Sequence, residues 1–237
     1  MVKHHLSFEA HGAAAAIVAP PATARRRPLR ARAGAWVRDA SDRAIGAFSL
    51  VSNDPVLDVR DFEWTRLLRD NWQAIRDEAL ATAPADPSRP ALLWECGAGV
   101  AENLRHCPRT HRVVARIPDL DSAFVSVLAP GTHVPPHRGA SKGLLTCHLG
   151  LVVPRDGDVR MRVRDRVVRW AVGETLLFDD TCDHEVWNDT SGARLVLQVH
   201  VRRPLRQPGK WVADAVLDRL RRRAFAQEAR GDMRVPG

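Results

Sequence analysis

The chain has 237 residues, 45% of them hydrophobic and 27% charged, with a formal net charge of +8. That length buries a sizeable core within one domain, and the composition is that of a globular protein, which excludes wholesale disorder. No apolar run approaches the ~18 residues needed to cross a bilayer as a helix, so no membrane span is expected.

Residues 1–35 hold six basic residues (Lys3, Arg25, Arg26, Arg27, Arg30, Arg32) and one acid (Glu9), and so carry +5 of the +8. An alanine-rich run, Pro20-Pro21 and the arginine cluster make this a low-complexity segment, expected to be a disordered basic tail ahead of a domain over residues 36–237. Without the tail the chain is only mildly basic, and nucleic acid is not expected as a partner. Glu9, His11 and Gly12 precede the apolar run at 13–19 and two prolines follow it, a poor pattern for a secretion signal. Cys96, Cys107, Cys147 and Cys182 form no CxxC pair, so a reducing compartment, the cytoplasm, is expected.

In chain order, Trp64, Leu67, Leu68, Trp72, Ile75 and Ala79 recur at steps of three and four and predict an amphipathic helix, ended by Pro84 and Pro87. Residues 88–120 show no clear period. From Ala123 the pattern changes to short strands, predicted at 123–129, 144–153, 159–163, 166–170, 175–178, 184–188 and 194–201. Pro130-Gly131, Pro135-Pro136, Pro154-Arg155-Asp156-Gly157 and Ser191-Gly192 supply the breaks. This spacing predicts a sandwich or barrel as a β core over about 123–201. A closing helix is expected at about 211–230, with Val212, Val216, Leu217, Leu220 and Ala224 on one face and arginines opposite.

Histidine carries the chemical signal. His137 lies in the Pro/Gly-framed stretch Gly-Thr-His-Val-Pro-Pro-His-Arg-Gly at 131–139, and His184 opens a strand 47 residues later. Neutral imidazoles at two strand edges suit iron, zinc or copper in a barrel mouth. A third, carboxylate ligand is missing from the usual place, since His137-Arg138-Gly139 has glycine where His-x-Asp would have it. Asp183 would point to the opposite face of the strand from His184. Asp179 and Asp180 are nearer candidates but lie in a turn signal. On the last predicted strand Arg194, Val196, Gln198 and His200 share one face and Leu195, Leu197, Val199 and Val201 the other, so the polar set is expected toward a pocket. Trp170 and Trp187 read as core or rim residues, and the glycosylation triplet at Asn188 as a chance match.

Three segments resemble the aspartyl/asparaginyl β-hydroxylases, which are Fe(II)- and 2-oxoglutarate-dependent dioxygenases: 128–139 (LAPGTHVPPHRG), 147–154 (CHLGLVVP) and 178–190 (FDDTCDHEVWNDT). That family characteristically has glycine in place of the carboxylate ligand. The resemblance implies a mainly β fold with flanking helices, a double-stranded β-helix of the jelly-roll, cupin-like kind. It implies Fe(II) on His137 and His184, and 2-oxoglutarate held by Ser126, His148 and Arg194. It implies molecular oxygen as co-reactant and hydroxylation of the β-carbon of an aspartyl, asparaginyl or related amino acid, free, in a peptide or carrier-bound. The alternatives are hydroxylation of a lipid acyl chain and a non-catalytic cupin-like binding barrel. One departure is Thr146, where the family often has an arginine; its hydroxyl offers the cosubstrate one weaker hydrogen bond.

Overall fold

The computed structural model describes residues 29–82 and 91–232, with side chains over 36–82 and 91–223. The helix α1 (Leu29–Ala47) leads through a two-residue strand, β1 (Val56–Leu57), to α2 (Thr65–Asp70) and α3 (Trp72–Thr82). The hairpin of β2 (Ala91–Glu95) and β3 (Ala98–Gly99) follows, then the short helices α4 (Ala101–His106) and α5 (Pro108–Val114). Eight strands come next: β4 (Leu120–Leu128), β5 (His133–His137), β6 (Leu144–Val152), β7 (Asp158–Val163), β8 (Arg166–Arg169), β9 (Thr175–Phe178), β10 (His184–Asp189) and β11 (Arg194–Arg202). The long helix α6 (Gly209–Asp232) ends the described chain.

The strands form two antiparallel sheets, a large one in the order β1-β9-β6-β11-β4-β2-β3 and a small one in the order β5-β10-β7-β8. From β4 onward the chain passes back and forth between them, which makes a double-stranded β-helix with helices added, the mainly β class expected from the sequence. Alternation along each strand divides the apolar residues between two cores. Leu195, Leu197, Val199 and Val201 of β11 join Leu145, Cys147, Leu149 and Leu151 of β6 in a layer under Leu68 of α2, Ile75 and Ala79 of α3 and Val113 and Val114 of α5. Val196, Leu128, Met161, Val163, Phe178 and Val186 face inward and pack between the sheets.

Four expectations are corrected. Residues 133–137 form β5 rather than a turn, and Pro135 and Pro136 are accommodated because β5 is the outer strand of the small sheet, where a missing N–H breaks no ladder. The single helix expected around Trp64–Ala79 is two helices. They separate at Asn71, whose side-chain amide donates to the Leu67 carbonyl at 2.8 Å and closes the first of them. Residues 29–35, expected in the tail, are the first turns of α1, while residues 1–28 of that tail lie outside the described residues. The aperiodic stretch before Leu120 holds β2, β3, α4 and α5, each too short to show a period.

Candidate active site

A cavity of about 390 Å³ opens between the sheets. It is lined by side chains from seven strands, and its polar groups gather around the His137–His184 pair and around Arg194. His137 closes β5 and His184 opens β10, and the two are direct cross-strand partners in the small sheet. Register therefore brings the distant histidines together: their ring centroids are 4.1 Å apart, with planes inclined at 53°. The pairing shifts register immediately after His184, the kind of irregularity that re-aims a side chain beside a site.

Each imidazole is oriented through Nδ1. His137 Nδ1 lies 2.9 Å from the Pro135 carbonyl and His184 Nδ1 lies 2.9 Å from the Cys182 carbonyl. A carbonyl only accepts, so each Nδ1 carries a proton, and in the neutral rings this leaves Nε2 as the open lone pair, the arrangement metal-binding histidines require. Burial pushes His184 below the ordinary histidine range, which favours its neutral form. Among the described residues no cluster of three or more His, Cys, Asp or Glu side chains is placed to hold a metal ion. Gly139 explains the shortfall: a side chain at that position would overlap the Asp180 carboxylate, which fills the space. Asp180 accepts from the Thr146 hydroxyl at 3.0 Å through Oδ2, while its buried Oδ1 has no hydrogen-bond partner. Burial raises its carboxyl above the usual range. The Thr146 hydroxyl, expected to face a cosubstrate, thus serves Asp180.

Arg194 occupies the other cluster, 4% exposed. Its guanidinium lies over the Trp170 ring, 4.6 Å from the centroid, and donates to the Ser126 hydroxyl at 3.4 Å. Nε has no partner, and among the described residues no carboxylate lies within ion-pair distance. Burial lowers its pKa to about 10, still fully charged at neutral pH. His148, on the same wall, accepts the Trp170 indole N–H on Nδ1 at 3.2 Å. An indole can only donate, so the His148 proton is on Nε2, and that buried N–H has no partner. Burial, reinforced by the Arg194 charge, holds His148 well below the ordinary range and therefore neutral. Gln198 and His200 continue the wall from β11, with His200 Nδ1 2.8 Å from the Ser122 hydroxyl. Leu128, Val134, Met161, Phe178 and Val186 supply the apolar part of the lining.

Ser126, His137, His148, His184 and Arg194, named from the sequence as site residues, all line this one cavity. Gln198 and His200, expected on the pocket face of the last strand, line it as well, whereas the contacts of Trp170, Asp180 and His200 were not foreseen. Trp170 had only a composition signal, and Asp180 and His200 act through contacts that depend on strand register. Trp187 lies on the far side of its strand, sandwiched on the outer surface between His133 at 5.0 Å and Arg160 at 4.7 Å. Asn188 of the glycosylation triplet is fully buried, and its amide ties the carbonyls of Leu128, Ala129 and Gly192 together at 2.9–3.0 Å, bracing the turn before Arg194.

Fold and cavity define a jelly-roll barrel whose interior presents two open imidazoles and, apart from them, a buried cation in need of an anion. The chain belongs to the aspartyl/asparaginyl β-hydroxylase family, whose model matches residues 69–204. Its relatives include an ornithine lipid ester-linked acyl 2-hydroxylase of Rhizobium tropici, 33% identical over 192 residues that make up 72% of this chain and 68% of that protein. The human aspartyl/asparaginyl β-hydroxylase is 33% identical over 162 residues, 60% of this chain but only 21% of that longer enzyme. Among solved structures, the cupin domain of an XRE-family transcriptional regulator from Enterobacter cloacae aligns with a TM-score of 0.29 at 15% identity, over 34% of this chain and 79% of that one.

Proposed function

We propose that the chain is an Fe(II)- and 2-oxoglutarate-dependent hydroxylase, with iron on the Nε2 atoms of His137 and His184 and the cosubstrate's far carboxylate on Arg194. The observation that carries this reading is the Arg194 guanidinium, buried, charged and without a carboxylate partner among the described residues. Leaving a buried charge uncompensated costs several kcal/mol, so a ligand anion is the natural complement. The donors fit a keto dicarboxylic acid. Arg194 and the Ser126 hydroxyl suit the distal carboxylate, and the orphan His148 N–H suits an oxygen of the keto-acid end.

Iron, oxygen and 2-oxoglutarate together supply the oxidising power: one oxygen atom enters a substrate C–H bond, the other enters succinate, and carbon dioxide leaves. The chain's own residues bind, orient and exclude. Trp170 fixes the His148 tautomer, and the Pro135 and Cys182 carbonyls fix the two imidazoles. Asp180 Oδ1 offers an acceptor beside Gly139, on the metal side of the cavity.

For the acceptor we favour a lipid acyl chain. The support is the Rhizobium relative, which matches along about two thirds of both chains. The human relative supports a second reading, the β-carbon of an aspartyl or asparaginyl side chain, over a smaller share of that enzyme. Among the described residues no helix is long and apolar enough to cross a membrane, and the buried thiols Cys107, Cys147 and Cys182 form no disulfide, which suits a cytoplasmic enzyme. The test is succinate release from 2-oxoglutarate with Fe(II) and oxygen, followed by a mass-spectrometric screen for one added oxygen over acyl lipids, amino acids and peptides. Succinate release no faster than that of the His184→Ala variant would sink the reading in favour of a binding barrel.

A further inference from the structure

Six large hydrophobic side chains among the described residues are more than half exposed, and four of them fall on one part of the molecule: Trp36 (68%) and Val37 of α1, Leu50 just after it, and Trp211 (67%) at the start of α6. The two helices pack against each other. The end of α1 meets the start of α6, where Phe48 covers Gly209, the Leu50 N–H donates to the Pro204 carbonyl at 3.0 Å, and Ser49 pairs with Leu205.

At ~100° per residue the outward faces can be assigned. On α6, Ala213 and Leu217 are buried, and Trp211, Asp218 and Arg222 lie about half a turn away, with Arg219 and Arg223 beside them. On α1, Ile45 and Asp42 are buried, and Trp36 and Arg43 lie opposite Ile45. Exposed Arg43, Arg219, Arg222 and Arg223 make no ion pair among the described residues, whereas Lys210 is paired with Asp214 at 2.9 Å and Arg221 with Asp121. The outward face of the helix pair therefore combines exposed tryptophans with arginines that make no ion pair among the described residues, and Asp218, 3.9 Å from Arg221, is the exposed acid of α6 among the described side chains of this face. Helix α1 also flanks the metal side of the cavity: Asp39 faces Arg138 at 3.5 Å, next to His137, and Asp42 accepts the Lys142 backbone N–H at 3.0 Å.

We propose that the outward face of α1 and α6 docks on an anionic lipid bilayer surface, with Trp36 and Trp211 seated at the headgroup level and Arg43, Arg219, Arg222 and Arg223 against the lipid phosphates. Indole rings favour the membrane–water interface, because the ring is apolar and its N–H finds partners there, and arginine forks pair with phosphate oxygens. Such a surface lies on the membrane without crossing it. Contact of this kind would bring α1, and with it the cavity rim, close to the lipid. The proposal does not depend on the chemistry proposed above, since docking is read without cosubstrate or turnover.

The full chain is mixed with vesicles of phosphatidylcholine containing phosphatidylglycerol, or of phosphatidylcholine alone, and sedimented. Binding to the anionic vesicles is expected, falling with added salt and weak on the neutral ones. The Trp36→Ser/Trp211→Ser variant and the Arg219→Glu/Arg222→Glu/Arg223→Glu variant should each bind the anionic vesicles at least tenfold more weakly, with unchanged circular dichroism and unchanged melting temperature. No binding by the wild type, or equal binding by both variants, overturns the proposal. So does loss of binding on Arg25→Glu/Arg26→Glu/Arg27→Glu substitution while the tryptophan variant binds normally, which would place attachment before α1. A wild-type dimer that the tryptophan substitutions dissociate, with vesicle binding unchanged, would assign the face to a second copy instead.

Discussion

Arg194 is a charge that the folded chain holds at a loss, buried and without a carboxylate partner among the described residues. Its replacement by methionine removes an uncompensated buried cation, so the ligand-free melting temperature is expected to hold or rise. The same substitution should leave the carboxylate of 2-oxoglutarate unpaired, at a cost of roughly 2–5 kcal/mol, and weaken cosubstrate binding by well over tenfold. Arg194→Lys keeps the charge but not the fork and should recover only part. Anaerobic titration of the Mn(II)-loaded protein with 2-oxoglutarate, beside a thermal melt, separates the outcomes; a lower melting temperature with unaltered cosubstrate affinity would make Arg194 a structural residue. At this scale the sequence was most informative where a residue acts through its type and strand parity, as His137, His184 and Arg194 do. It was least informative for partners chosen by packing across strands, as Trp170 is for His148 and Asp180 for Thr146, 22 and 34 residues away.

Among the elements, the turn between β9 and β10 matters most, because it carries Asp180 and leads directly into His184. Asp179, at its start, is fully buried and accepts from Lys142 Nζ, from Arg203 at 2.7 Å and from the Thr181 hydroxyl at 2.5 Å. Burial alone would raise its pKa, but Arg203 and Lys142 hold it below the usual carboxylate range. Asp179→Ala would strand two buried cations and is expected to cost about 3–5 kcal/mol, near 10 °C in melting temperature for a chain of this size. Asp179→Asn, which keeps the acceptor but not the charge, should fall between. Urea unfolding of both variants checks this, and a loss below about 1 kcal/mol for alanine would show that the cluster does not hold the turn. Most barrel strands were legible from alternation and from Pro/Gly breaks. Strand β5 was not, since Pro135-Pro136 signals a loop everywhere except on an outer strand, and which strand lies outermost is a property of topology. The break at Asn71 was hidden because the apolar period runs through it unchanged.

For the whole molecule, acid sensitivity follows from buried neutral histidines. Burial depresses His148, His184 and His200 below their ordinary value of 6.5. Between that value and the lower folded ones the unfolded chain binds more protons than the native one. The stability these groups contribute is therefore complete above about pH 6.5 and is lost as the pH falls toward their folded values. Each unit of depression is worth about 1.4 kcal/mol, so the metal-free protein should melt several degrees lower at pH 5.5 than at pH 7.5. Asp42 and Asp180, raised by burial, act oppositely because the native chain takes up their protons first, and they soften the fall as the pH nears 4. A melting temperature that is flat or higher at pH 5.5 would contradict the burial of these imidazoles. The barrel architecture was readable in advance from strand spacing together with the three familial segments. The two-core arrangement was not, because it depends on which face of the large sheet the helices cover.

The cross-strand pairing of His137 with His184 has a mechanical consequence. An ion gripped by both rings would act as a rivet through the rim of the small sheet, fastening its outermost strand to the strand beside it. Loading the centre should then stiffen the opening of the barrel. In hydrogen exchange, the amides of Val134 and His137 should become markedly slower on addition of Fe(II) or Zn(II), while those of β6 and β11 change little. Equal protection with and without metal would mean that the strand is held by its neighbours alone. With the rivet in place, an empty centre and a filled one differ in how firmly the doorway is framed, so metal supply would govern the shape of the entrance as well as the reaction behind it.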